Sequence, residues 1–178
     1  SYASYWYAQE NFDGTLDSLL GLDDLYVSEK VPFAFDYADV DPDVNPSPSS
    51  VTNYGNDHGT HVAGIAAGKT IASNGDVTFS GVAPEAQLAI FKVFSDSSNG
   101  ATTVDILAAL SDAVLLGVDA LNLSLGSSGG FGQEEAGSLL EQIYDLVAES
   151  GIILNISAGN SYNAYQGSSA GDLPLTSN

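Results

Sequence analysis

The chain carries two histidines, His58 and His61, and both lie in the run Asp57-His58-Gly59-Thr60-His61-Val62-Ala63-Gly64. Imidazole is the side chain best suited to moving protons near neutral pH, so any histidine chemistry of this sequence has to be here. The pattern predicts a helix from about His58 to Ala67, with His58 in its first turn and mostly small residues after it. Small residues let such a helix press against neighbouring backbone and hold the imidazole within a substrate's reach. The partial positive charge of a helix N-terminus favours neutral imidazole, the form a base must have. A capping or core histidine is the competing reading. His61 makes a metal pair conceivable, but zinc proteases use His-Glu-x-x-His, with histidines four apart and a glutamate base. Here the spacing is three and Gly59 stands in the glutamate's place, so no metal ligand is assigned.

Two further blocks could do chemistry, Asn122-Leu123-Ser124-Leu125-Gly126 and Ser157-Ala158-Gly159-Asn160. Ser124 and Ser157 each stand two residues before a glycine, as in a nucleophile elbow. Asn122 and Asn155 occupy the places of the preceding glycine, however, and both histidines come before either serine, which is the wrong order for an α/β-hydrolase. Read on its own, Gly159-Asn160 is a turn after a strand.

The elements that would position these residues alternate. Val31–Tyr37 reads as a strand, Gln87–Phe94 as a strand, Thr103–Leu116 as a helix and Ala120–Leu125 as a strand. Glu134–Ser150 reads as a helix and Ile152–Ser157 as a strand, with a short helix expected over Leu16–Tyr26. The helix Thr103–Leu116 has an apolar face of Ile106, Leu107, Leu110, Ala113 and Val114. Ile152-Ile153-Leu154 is apolar at successive positions, as in a sheet buried on both faces. Strands alternating with helices predict an α/β fold with a parallel sheet, whose functional groups gather at the carboxyl ends of its strands.

Composition narrows the function. A length of 178 residues fits one domain, and 44% hydrophobic against 15% charged residues can build a core. The net charge of −20 sets 23 acids against Lys30, Lys69 and Lys92, with no arginine. Such a surface repels phosphate backbones and anionic membranes, which excludes nucleic acid as a partner. The absence of cysteine excludes disulfides, thiolate metal sites and a cysteine nucleophile. No stretch approaches the ~20 apolar residues that a membrane span needs, so no membrane insertion is expected. The rival class of a nucleotide-binding α/β domain lacks both Gly-x-Gly-x-x-Gly and Gly-x4-Gly-Lys-Ser/Thr.

The His58 run, Asn122–Gly126 and Ser157–Asn160, in that order and spacing, resemble the subtilisin-like serine proteases, or subtilases. The tract Val31-Pro32-Phe33-Ala34-Phe35-Asp36-Tyr37 is similar to that of the cell-envelope proteinases of Gram-positive bacteria. The resemblance implies a three-layer subtilisin-like α/β fold, a mostly parallel sheet flanked by helices, incomplete in this chain. Residues 1–178 would form part of one catalytic domain: a variable acidic and aromatic segment over 1–50, the core over 51–160, and a loop over 161–178. It further implies a serine endopeptidase with a polypeptide substrate, extracellular or wall-associated. His58 would be the general base of a Ser-His-Asp triad and Asn160 the oxyanion donor. Ser124, Leu125 and Gly126 would form the substrate-binding strand, and Ser157, Ala158 and Gly159 would line the pocket before the cleaved bond. His61 would be structural.

The family's triad runs aspartate, histidine, serine along the chain. No apolar strand upstream of His58 ends in Asp-Ser/Thr-Gly: Asp13 lacks the strand, and Asp36 is followed by Tyr37 and Ala38. No Gly-Thr-Ser-Met-Ala opens a helix downstream of Asn160, and Gly167-Ser168-Ser169-Ala170 is followed by Gly171, Asp172 and Pro174. The chain is therefore expected to be an internal fragment, inactive alone, that supplies the base and the oxyanion donor. The alternative is a catalytically inactive peptide-binding module that keeps the cleft. No cofactor is required for the chemistry. Asp39, Asp41, Asp43 and Asn45 read first as a solvated acidic loop, since Val44 and Ser50 break the EF-hand pattern; calcium as a structural ion there is the alternative that the resemblance keeps open. Ser73-Asn74-Gly75-Asp76 is a second candidate loop.

Overall fold

A strand of sequence Phe-Ala-Phe-Asp, with every residue buried, organises the N-terminal part of the computed structural model. The structure describes residues 25–46, 57–74, 76–97, 100–125 and 139–157. They fall into two units, one up to Asp112 and one from Ala113 on.

In the first unit, β1 (Phe33–Asp36) pairs in parallel with β4 (Ala89–Lys92), Phe33 opposite Ala89 and Asp36 opposite Lys92. The ladder is extended at one end by the Leu88 amide on the Lys30 carbonyl (2.8 Å) and at the other by the Tyr37 amide on Lys92 (2.7 Å). Aromatic residues are favoured on a pleated surface because large rings pack across strands. Here Phe33 meets Phe91 at 5.2 Å, and Tyr37 stacks on Phe91 at 6.0 Å. Both strands are shorter than the expected Val31–Tyr37 and Gln87–Phe94.

The helix α1 (His58–Ala67) has the bounds its sequence predicts. Its last carbonyls, which no helical amide reaches, accept from the segment that follows the hairpin: Val82 to Ile65 (2.9 Å) and Ala83 to Ala66 (2.8 Å). The Gly81 amide donates to the Gly68 carbonyl at 3.0 Å. This approach requires a glycine at 81: a Cβ there would lie 2.4 Å from the Gly68 nitrogen and 2.8 Å from the Ala67 carbonyl carbon.

Between α1 and β4 lies an antiparallel hairpin, β2 (Ile71–Ser73) with β3 (Asp76–Phe79), strands to which the sequence analysis assigns no element; the loop it names, Ser73–Asp76, joins them. Ser73 faces Asp76 across Asn74-Gly75, and Asn74 takes a left-handed φ of 54°. Asn-Gly is the strongest short-range hairpin signal, and asparagine tolerates that conformation.

The helix α2 (Thr103–Leu116), again with the predicted bounds, crosses the division between the units. The Asp105 carboxylate accepts from the Thr102 hydroxyl (2.7 Å) and amide (3.3 Å), while Asp105 N–H donates back to that hydroxyl (3.2 Å). This reciprocal pair closes the helix start. At its end Gly117 adopts φ 67°, its amide bonding Val114 (3.1 Å) and Val118 bonding Ala113 (3.3 Å), the glycine-terminated form of helix end.

In the second unit, β5 (Ala120–Leu123) begins three residues after that glycine. A second helix, α3 (Leu139–Glu149), ends at Gly151 with φ 77° and leads into β6 (Ile153–Ile156). β5 and β6 are parallel, with Ala120 opposite Ile153 and Leu123 opposite Ile156. The α/β character and parallel pairing are therefore as expected. The burial is not: Leu121 and Leu123 are buried, but Ala120, Asn122 and Ile153 are exposed, with Ile153 at 65%. Period-two alternation decides this, since neighbouring residues of one strand face opposite sides. The expected helix over Leu16–Tyr26 lies outside the described residues save its last two positions, and α3 is described only from Leu139.

Candidate active site

His58 occupies the first helical position of α1 and its side chain is exposed. Asp57 precedes it in the cap position with φ −89° and ψ 4°, and makes no side-chain cap bond, so the helix start is not closed by its own carboxylate. The Asp57 carbonyl instead accepts the His61 amide at 2.9 Å. His61 is exposed, so its imidazole is no core group in this chain.

A general-base histidine needs a carboxylate to fix its tautomer. The buried acids among the described residues are Asp36 and Asp112. Asp36 Oδ1 accepts the amides of Ala38 (2.9 Å) and Asp39 (3.1 Å), and Oδ2 binds the Lys92 ammonium. Asp112 accepts the Tyr37 hydroxyl at 2.8 Å. The described contacts thus engage both carboxylates with partners other than an imidazole.

Around Lys92 the structure gathers an acidic cluster. Asp36, Asp39 and Asp96 place ligand-type oxygens within 4.8 Å of one another, a set that could hold a metal ion. The Lys92 ammonium stands among them, bonded to Asp36, 2.9 Å from Asp96 and 3.7 Å from Asp39. Burial raises the Asp36 carboxyl above its ordinary value, partly offset by Lys92 and by the amides of Asp39 and Ala38. The Ser95 hydroxyl, with the Asp96 amide and Lys92, lowers Asp39 against the effects of burial and of the Asp96 charge. Asp39, the first of the alternating acids, is therefore committed to this latch. The next two turn on their own loop: Asp41 accepts the Asp43 amide (2.8 Å) and Asp43 the Asn45 amide (3.0 Å). Sequence reasoning gave Lys92 no role. Its one signal was rarity, a cation inside a strand of a strongly acidic chain.

The carboxyl ends of β5 and β6 bring Ser124, Leu125 and Ser157 together. The Ser157 amide donates to Leu123 (3.0 Å) and its hydroxyl to the Leu125 carbonyl (3.1 Å). The Asn122 side-chain amide donates to the Ser124 hydroxyl at 2.7 Å, a brace the sequence reading did not anticipate. Gly126, Ala158, Gly159 and Asn160 lie outside the described residues. His58 belongs to the first unit and the Ser124–Ser157 cluster to the second.

Comparison with known proteins adds an independent finding. Residues 9–178 match the model described as the Subtilase family. The chain is 38% identical over 138 residues to a PII-type proteinase of Lactococcus lactis subsp. cremoris, an overlap covering 76% of this chain and 7% of that protein. It is 41% identical over 95 residues to the minor extracellular protease Vpr of Bacillus subtilis, covering 53% of this chain and 11% of Vpr. With subtilisin DY of Bacillus licheniformis it shares 37% identity over 116 residues, 65% of this chain and 38% of the subtilisin. The chain thus spans a small share of the length of the curated relatives it matches.

Proposed function

The chain belongs to the subtilase family, and on that premise we propose that it is part of a serine endopeptidase whose general base is His58. The observation that carries this reading is the exposed imidazole at the first position of a helix built from small residues, inside the matched region. His58 takes the proton of a serine hydroxyl as its oxygen bonds to the scissile carbonyl carbon. The imidazolium then gives that proton to the amine as the carbon–nitrogen bond breaks. The Asn160 amide donates to the oxyanion of the tetrahedral intermediate. Ser124, Leu125 and Gly126 pair with an extended peptide through main-chain groups, the strand-addition mode of recognition. Ser157, Ala158 and Gly159 border the pocket for the residue before the cleaved bond. The aspartate and the serine come from sequence outside this chain.

The chemistry proposed needs no cofactor, and calcium enters only as a structural ion of the 39–45 loop. Titration calorimetry with calcium chloride tests it, and an absence of heat removes it. The name of the Bacillus subtilis relative, an extracellular protease, supports placing the parent protein outside the cell or on its wall. Among the described residues no helix is long and apolar enough to cross a membrane.

The test is peptide hydrolysis by the full-length protein. We expect His58→Ala to lower kcat by about 10²–10⁴-fold, the usual contribution of a general base, and activity to fall as acidification protonates the imidazole. A flat profile from roughly pH 5 to 9 counts against His58 as base. Turnover by the isolated chain, abolished by His58→Ala, overturns the assignment of aspartate and serine to other sequence.

A further inference from the structure

We propose that Ser157 is a positioning residue: its hydroxyl holds the Leu125 carbonyl and thereby keeps the segment after β5 extended as a template for a peptide. The inference rests on the functional reading above and deepens it, because Ser157 was expected to act only as a wall of the pocket.

The geometry comes from the ladder. In a strand, successive residues turn their backbone groups to opposite edges. The Leu123 carbonyl faces β6, since it accepts the Ser157 amide at 3.0 Å. Leu125, two residues on, faces the same edge, but β5 ends at Leu123 and β6 at Ile156. Past that point the Ser157 hydroxyl takes the part of the next ladder donor, at 3.1 Å from the Leu125 carbonyl. One residue thus holds two successive same-edge carbonyls, the second of them beyond the end of the paired strands. The same alternation turns the backbone groups of Ser124 to the edge away from β6. The Asn122 amide, 2.7 Å from the Ser124 hydroxyl, fixes that side chain as well. A peptide that adds to this edge meets an ordered strand and loses less entropy in binding than it would on a mobile one. The benefit grows with the number of substrate residues that pair, whereas a substrate with one residue before the cleaved bond gains little.

The experiment compares wild type, Ser157→Ala and Ser157→Thr in the full-length protein. Kd from calorimetry, together with kcat and KM, is measured for peptides with one and with four residues before the scissile bond. Loss of one hydrogen bond is expected to weaken binding of the longer peptide and raise its KM roughly three- to tenfold. The short peptide, which fills the pocket but pairs little with the strand, should lose less than the long one, and threonine, which keeps the hydroxyl, should restore the wild-type ratio between the two peptides. Equal effects on short and long peptides, no effect on either, or an unrescued loss with threonine would overturn the inference. If no variant hydrolyses peptide but the length-dependent loss of binding persists, the protease reading fails and the positioning role stands.

Discussion

Lys92 touches three carboxylates from two stretches of chain 56 and four residues away, and its removal should matter more than that of any other cation described. Asp36 beneath it is buried, and a buried charge stripped of its partner is costly. Lys92→Met is expected to destabilise the protein by about 3 kcal/mol in urea unfolding, the lower end of the range because the ammonium keeps some solvent contact. Asp36→Asn in the same background should recover part of the loss. Burial works to lower Lys92, but hydrogen bonds and charges from Asp36 and Asp96 together outweigh it and raise it above 10.5. A cation with a raised folded value contributes stability that is complete below its unfolded value and lost as pH rises through the folded one. The wild type should therefore weaken above about pH 10.5, and Lys92→Met should lose that component of the alkaline decline. Asp39 has the opposite sense: lowered when folded, it contributes above its ordinary 3.8, and that share disappears as pH falls through its folded value. Asp36, raised by burial, partly offsets this at the acid end. Urea midpoints across the pH range check all three. The place of His58 at a helix start was legible from sequence because that start is local. Lys92 was not, because only the pairing of β1 with β4 brings Asp36 opposite it.

Helices announced their ends, strands did not. α1 and α2 have their predicted bounds because their start and stop signals lie within a few residues: a Thr-x-x-Asp box, a left-handed glycine, a glycine after Ala67. The strands are shorter than their apolar runs, since a strand ends where its neighbour stops offering partners. The Asn74-Gly75 signal was present, but its flanking runs, Ile71–Ser73 and Asp76–Phe79, are short and mixed in polarity. The contact between the hairpin's exit and the end of α1 yields a sharp test. Gly81→Ala puts a methyl into the backbone of Ala67 and Gly68, which cannot yield as a flexible side chain could. It should cost about 1–3 kcal/mol, the range for forced overpacking, read as a lowered urea midpoint. An unchanged midpoint would mean that the close approach is not maintained in solution.

For the molecule as a whole, charge is the property composition fixes most firmly. At −20 the chain repels itself, which favours solubility and disfavours compactness. Adding salt from about 10 mM to 0.5 M should raise Tm, because the Debye length falls from about 30 Å to a few ångströms. A Tm that falls with salt would instead mean that ion pairs such as the Lys92 latch outweigh the general repulsion.

The sequence by itself determined the family, the α/β alternation and the bounds of α1 and α2, with His58 at the start of the first. Each of these is written in local patterns or in motifs whose order survives without coordinates. Tertiary structure alone decided which side chains meet: Lys92 among Asp36, Asp39 and Asp96, Asp112 under the Tyr37 hydroxyl, and Ser157 on the Leu125 carbonyl. The physical reason is common to all three. Hydrogen bonds and ion pairs act over about 3 Å, and which distant residues come that close depends on strand register, which no local pattern encodes.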